Sequence, residues 1–455
     1  MAGISFRHAL RLALLGATGL ASVPAAAQQT DGEQSLEERL SRLEQMVGTL
    51  IERLDRQEDL DPILTETRAL RQEQAALAAQ VKDVATAQDR DGFSVGDTQV
   101  TLGGYVKLDA LSLRTSGGQL PDGSILRDFL IPGTIPVGGN ASGWDTDFSA
   151  RQTRVVLKTA TDVGTGQPLA SHIEVDFMVT DGGDERVSNS YTPRLRQAYL
   201  TYGDWLFGQT WSTFQNVGAL PESMDFIGVT PGTVFDRQPM IRYTSGGFQV
   251  ALEQPETTVT TPAGGRLLAG DDTLPDIVVR YNHGGDWGSI SAAGILRSLN
   301  IADDDFGTGG HSALGYGISL AGRIDVGERD DLRFMATAGD GLGRYIGINI
   351  VNDAAIDLSG DLDPIFTWSG FASYRHFWAE GLRTTVAGSY FRADNPVLLT
   401  GDQVTDESWN AFANLVWSPA PKLDVGIEFM HAQRQLEDGR SGALEKVQVS
   451  TRYAF

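Results

Sequence analysis

Reading back from Phe455, Tyr453, Val449 and Val447 share one face of a strand, with Thr451 the polar member of that face. Arg452, Ser450, Gln448 and Lys446 share the other. Strand side chains alternate with period two, so this segment is apolar on one side and polar or basic on the other. A strand of this kind, closing on an aromatic residue, is the expected end of an outer-membrane β-barrel. In such a barrel the apolar faces meet lipid and the polar faces line a water-filled lumen.

The rest of the composition agrees with that reading. Residues 1–27 read as a signal peptide. Arg7, His8 and Arg11 are its basic start, Ala9 to Val23 its apolar run, and Ala25-Ala26-Ala27 its cleavage site before Gln28. Loss of Arg7 and Arg11 takes the 36 basic residues to 34, against 59 acidic ones, a net charge of −25 on the mature chain. That balance excludes nucleic acid as a partner, because phosphate binding needs a basic surface. There is no cysteine, hence no disulfide and no thiolate metal site. No segment after the signal reaches the roughly 18 apolar residues of a membrane helix, so strands are what remains for crossing a membrane.

Residues 28–91 differ from the rest of the chain: rich in Glu, Arg, Gln, Ala and Leu, and without aromatics. Leu36, Leu40, Leu43, Val47, Leu50 and Leu54 step by four and three, the apolar seam of a coiled coil. Ser35 and Glu38 form a capping box, Pro62 interrupts, and Leu70, Leu77, Val81 and Val84 make a second seam. No adjoining helix covers the seam, so the partner is another copy of the chain. The expected organisation is a signal peptide over 1–27, a periplasmic coiled-coil stalk over 28–91 and a barrel over 92–455.

From Thr98 the period changes to two. Sixteen candidate strands run to the end of the chain, beginning with 98–113, 148–162, 168–180, 193–203 and 204–214, and ending with 421–436 and 444–455. The connections alternate long and short throughout. Long ones include 116–147, 215–233 and 341–363; short ones include Gly203-Asp204, Gly284-Gly285 and Glu380-Gly381. Long outer loops and short periplasmic turns are the pattern of a transmembrane barrel. The fold class is therefore all-β: a sixteen-stranded antiparallel transmembrane β-barrel of porin type, preceded by an α-helical coiled coil.

Parity assigns the faces. On the first strand Val100, Leu102, Val106 and Leu108 point out, and Thr101, Tyr105, Lys107 and Asp109 point in. Arg154 and Lys158 point in on the second; His172, Glu174 and Asp176 point in on the third. Later strands turn Arg242, Arg280, Arg297, Arg323, Arg333, Arg375, Arg383 and Arg452 inward, against few acids. A basic ring in a low-dielectric tube selects anions, and guanidinium forks match carboxylates. The connection 215–233 holds Met224, Phe226, Ile227 and Val229, too apolar for a solvated loop. It is expected to fold inward as a constriction, with Glu222 and Asp225 facing the basic wall and Phe226 beside them.

Four stretches carry a resemblance. Gly104-Tyr105-Val106-Lys107-Leu108-Asp109, Arg194-Leu195-Arg196-Gln197-Ala198-Tyr199, Phe207-Gly208-Gln209-Thr210-Trp211-Ser212-Thr213-Phe214 and Arg237-Gln238-Pro239-Met240-Ile241-Arg242-Tyr243 resemble the DcaP-like porins, as does the order of stalk and barrel. The resemblance implies a homotrimer of sixteen-stranded barrels with a coiled-coil extension, taking up small anions, dicarboxylates in particular. It also implies that Lys107, Arg196, Gln209, Trp211 and Arg242 lie near the eyelet. Arg196 conflicts with simple parity, since it shares a face with Ala198 and Leu200; a bulge or a position above the membrane reconciles this.

The leading expectation is a passive channel, with outer-membrane lipid, copies of itself and small anionic solutes as its partners. A phosphate-selective pore and a structural barrel that tethers the outer membrane to the cell wall through its stalk are the alternatives. An enzyme needs a nucleophile, base and orienter together; Gly317-Ile318-Ser319-Leu320-Ala321 lacks the last glycine of a nucleophile elbow. No cofactor, metal site or catalytic residue is expected, and Asp303–Asp305 read as solvated loop acids.

Overall fold

The first long strand, β1 (Thr98–Thr115), sorts its side chains by chemistry. Leu102, Val106 and Leu108 are exposed outside, while Lys107 and Asp109 are buried inside. The same sorting recurs along fifteen further strands. These are β2 (Asp145–Ser149 and Arg154–Asp162), β3 (Pro168–Asp176), β4 (Arg194–Tyr202), β5 (Trp205–Trp211), β6 (Arg237–Ser245), β7 (Phe248–Glu253) and β8 (Asp276–Gly285). Next come β9 (Gly288–Ile301), β10 (His311–Val326), β11 (Asp330–Asp340) and β12 (Phe366–Ala379). The last are β13 (Leu382–Asp394), β14 (Thr405–Ala420), β15 (Leu423–Leu436) and β16 (Ser441–Ala454). All neighbours are antiparallel. β16 returns to β1, with Arg452 opposite Lys107, and closes the barrel. Closure satisfies the backbone between strands, the condition for crossing lipid without helices.

The computed structural model describes residues 41, 45, 48, 49, 92–179, 188–261, 264–269, 272–301, 311–357 and 359–455. The expected signal segment and Asp303–Asp305 lie outside the described residues. So does the expected coiled coil, except for Ser41, Gln45, Gly48 and Thr49, which are helical. Residues up to Phe93 and those from Ser94 form separate compact units.

The outer surface of the barrel carries two aromatic levels. Trp205, Tyr243, Phe248, Tyr281, Trp287, Trp378, Trp417 and Tyr453 are exposed toward the short turns; Phe148, Tyr316, Phe366 and Trp368 are exposed toward the long loops. Leu102, Val250, Val279, Leu320, Val386 and Ile427 are exposed between them. An apolar belt between aromatic girdles is the surface a bilayer requires.

The hydrophobic core is inside the barrel. Connections 116–144, 212–236 and 341–365 fold inward rather than standing in solvent. Leu126, Leu130 and Ile135 from the first, Phe214, Val229 and Val234 from the second, and Ile346, Ile350 and Val351 from the third pack with Phe371, Phe391, Phe412 and Met430 of the wall. Burying each such side chain contributes about 1.5–3 kcal/mol. Backbone bonds join two of the loops: Phe235 N–H donates to the Tyr345 carbonyl and Gly347 N–H to that of Thr233, both at 2.9 Å. At Gly232 a Cβ would meet the Gly370 carbonyl oxygen at 2.1 Å, so only glycine lets the loop lie this close to β12. Arg297 is buried and pins the outer loops through Asp276, Asp353 and the carbonyls of Gly341 and Glu256.

The strand expected as continuous over 148–162 is interrupted instead. β2 breaks between Ser149 and Arg154, where Thr153 N–H bonds to the Ala150 carbonyl at 3.0 Å. The turn presents Gln152, whose side-chain oxygen accepts from Lys107 Nζ at 2.7 Å.

Candidate functional site

The connection 212–236 crosses the lumen and is held on the far side by cations. Arg280 donates to the Gln215 carbonyl. Arg333 Nη1 donates to the Leu220 carbonyl at 2.6 Å. Arg383 grips the Glu222 carboxylate with two bonds of 2.7 and 2.6 Å, and Arg375 stands 3.5 Å from it. Lys107 and Gln448 both donate to the Met224 carbonyl at 2.6 Å. Glu428 accepts from Met224 N–H at 2.8 Å and from the Ser223 hydroxyl at 2.9 Å. These bonds are made in surroundings poor in water, where an unmatched carbonyl or carboxylate is costly.

Asp225 is the deepest of them. It pairs with Lys446, which is 1 % exposed, and accepts from the backbone N–H groups of Leu130, Ile227 and Gly228 at 3.1, 3.0 and 3.0 Å. Burial alone pushes its carboxyl up; the Lys446 ammonium and the amide bonds override that and hold it below the ordinary value. One side chain thus joins the connections 116–144 and 212–236 to β16.

Much of the expected basic wall is engaged by the loop and by wall carboxylates. Lys107, Arg280, Arg333 and Arg383 commit donors to the loop's inward carbonyls and to the Glu222 carboxylate, while Arg375, near Glu222, bonds Asp331 of the wall. Glu222 and Asp225 do not face the wall across a gap; they are bonded to it. Lys446, on the polar face of the final strand, belongs to the clamp although only its face was legible.

A second group of cations lies around the loop tip, continuous with the first through Asp424, which accepts from both Arg383 and Arg452. The bulge that reconciles Arg196 with its strand is present: Glu174 pairs with Gln197 and Val175 with Leu195, leaving Arg196 as the extra residue. Both Arg196 and Gln197 are consequently buried inside. Arg196 bonds Glu174 at 2.5 Å and Asp176 at 2.8 Å, and Asp176 also takes Arg194 at 2.9 Å. Arg154 stands 3.5 Å from Glu174. Its guanidinium and that of Arg452 lie 5.2 and 5.8 Å from the Tyr105 ring, and Arg452 bonds Asp424 at 2.6 Å. Phe226 lies against this group, 5.1 Å from the Arg196 guanidinium. Tyr105, Lys107, Arg154, Glu222, Phe226 and Arg452 are among the residues bounding a cavity of about 220 Å³ beside the loop.

The other expected positions fall elsewhere. Lys158 is exposed and pairs in register with His172. Arg242 is on the inner face of β6, with Glu253 its acidic neighbour. Gln209 shares the outward parity of exposed Phe207, and its amide donates to the Arg196 backbone carbonyl at 3.2 Å. It serves the bulge rather than the lumen. Trp211, two residues on, stands 5.8 Å from the Arg196 guanidinium.

A closed sixteen-stranded barrel with a lipid belt and an inward loop across a charged lumen defines an outer-membrane channel of the porin type. The chain belongs to the DcaP outer membrane protein family, whose description matches residues 21–455. It is similar to the outer membrane channel DcaP of Acinetobacter baumannii, with 23 % identity over 80 % of this chain and 99 % of that one, at a TM-score of 0.66. It is also similar to an anion-selective porin from Comamonas acidovorans, with 12 % identity over 79 % of this chain and 100 % of that one, at a TM-score of 0.49. No curated protein matches the chain.

Proposed function

We propose that this protein is a passive diffusion channel of the outer membrane that prefers small anionic solutes, dicarboxylates among them. The observation that carries the reading is the excess of cations over carboxylates around the constriction. The two loop carboxylates, Glu222 and Asp225, are neutralised by Arg383 and Lys446. Around the loop tip Arg154, Arg194, Arg196 and Arg452, with Arg237 near them, share three carboxylates, those of Glu174, Asp176 and Asp424, and Asp424 is also taken by Arg383. Cations exceed carboxylates beside the cavity, where the walls of low dielectric extend their field. A carboxylate passing there exchanges water for guanidinium bonds without a deep trap, as conduction requires.

In the same reading the working form is a homotrimer, joined through the barrels and the coiled coil expected over 28–91, with the stalk in the periplasm. Purified protein in a planar bilayer tests the substrate side. Added succinate is expected to reduce chloride current in a concentration-dependent way, and a polyamine is expected to leave it unchanged. Block by the polyamine with none by succinate overturns the proposal.

A further inference from the structure

Among the described residues the Arg237 side chain has neither a hydrogen bond nor an ion pair. Its Nη1 is shut off from solvent with no acceptor in reach. The charged groups that act on it most are mostly of its own sign: Arg196, Arg194 and Arg154, against Asp176. Asp176 is already bonded to both Arg194 and Arg196. A half-buried guanidinium among like charges is unfavourable unless an anion joins it. The fold treats a structural arginine otherwise: buried Arg297 is bonded to Asp276, Asp353 and two carbonyls.

What surrounds Arg237 is aromatic. Its guanidinium lies 4.8 Å from the Trp211 ring. Trp211 meets Phe235 edge-on at 4.8 Å, and Phe235 lies 6.0 Å from Phe226 of the constriction loop. Trp211 ends β5 and pairs with Arg237 at the start of β6, beyond Ala198 and Gln209, where the pairing of β4 with β5 stops. The place is therefore framed by strand ends and by the loop.

We propose that Arg237, with Trp211 and Phe235, is a binding site for a monocarboxylate carried on an apolar body. The proposal rests on the anion-channel reading and adds a ligand class to it. A fork of guanidinium N–H groups matches a carboxylate. Flat apolar walls favour a hydrocarbon body over hydrated chloride or a phosphate. By parity Arg237 falls on the face of Pro239, Ile241 and Tyr243, but at the strand end its neighbours Trp211 and Phe235 lead inward to Phe226 of the constriction loop.

The test uses the full-length channel in planar bilayers, with cyclohexanecarboxylate and acetate as the probes. Wild-type current is expected to be half-blocked by cyclohexanecarboxylate at a concentration at least tenfold below that for acetate. Arg237→Gln is expected to abolish this difference while the reversal potential stays on the anion side, because Arg154, Arg196 and Arg452 remain. Trp211→Leu keeps every charge and is expected to bring the two probes within threefold; it decides the matter if Arg237→Gln fails to insert. Equal block by the two probes in the wild type overturns the proposal. So does a difference that survives in Arg237→Gln or in Trp211→Leu. A wild-type reversal potential on the cation side removes the anion-channel reading and this site with it.

Discussion

Replacing Asp225 with alanine is expected to unseat the constriction loop. The change leaves the Lys446 ammonium buried without its carboxylate and strips an acceptor from three backbone N–H groups. Breaking a buried pair by removing one partner costs about 3–5 kcal/mol. Most of that cost is relieved if the loop tip leaves the wall and lets water reach Lys446. The expected readout is a single-channel conductance raised severalfold and noisy, with a lower temperature for loss of the folded barrel on gels. Asp225→Asn, which keeps an acceptor for the amides, is expected to fall between. An unchanged, quiet conductance in Asp225→Ala contradicts the clamp.

The pH dependence of the clamp is set by the sign of the Asp225 shift. A carboxyl held below its ordinary value contributes stability above that value, about 3.9 for a free Asp. The contribution is lost only as pH falls through the lower folded value. The Asp225 contact is therefore expected to hold the loop unchanged from neutral down to pH about 5.

The second large effect is on selectivity. Arg196→Gln removes one cation from the bulge and releases Glu174 and part of Asp176 toward the lumen. A unit charge about 5 Å from a permeating ion, at an effective dielectric near 20, is worth about 3 kcal/mol. Even a third of that changes an anion-to-cation permeability ratio about fivefold. The reversal potential of Arg196→Gln is expected to move to the cation side, and that of Arg196→Lys to remain on the anion side at reduced magnitude. Identical reversal potentials in wild type and Arg196→Gln place the selective charge elsewhere.

What could be read from the chain and what could not divides along the range of the contacts. The faces of β1 and β16 are local, and alternation alone sorts Val106 from Lys107 and Val449 from Gln448. The parity of long and short connections is also local, and it led to sixteen strands. The clamp is not local. Arg383 and Glu222 are 161 positions apart, and Lys446 and Asp225 are 221 apart. Nothing in the spacing says which inward arginine meets a loop carbonyl and which is left for the lumen. Parity failed where the strand departed from regularity, at the Arg196 bulge and at the break after Ser149. Each of these serves a polar contact: Arg196 with Glu174, and Gln152 with Lys107. The inward packing of Leu126, Leu130, Ile346 and Ile350 had a signal in their apolar character, which the reading of 116–147 and 341–363 as outer loops passed over.

The central claim is that the charge left after the clamp is satisfied makes the passage anion-preferring. The reversal potential of the wild-type channel under a tenfold potassium chloride gradient tests it most directly. The account predicts a potential displaced toward the chloride equilibrium value, and displaced less as ionic strength rises and screening shortens the field. A potential on the potassium side would contradict it, and would mean that acidic groups, rather than Arg154, Arg196 and Arg452, govern the narrowest point.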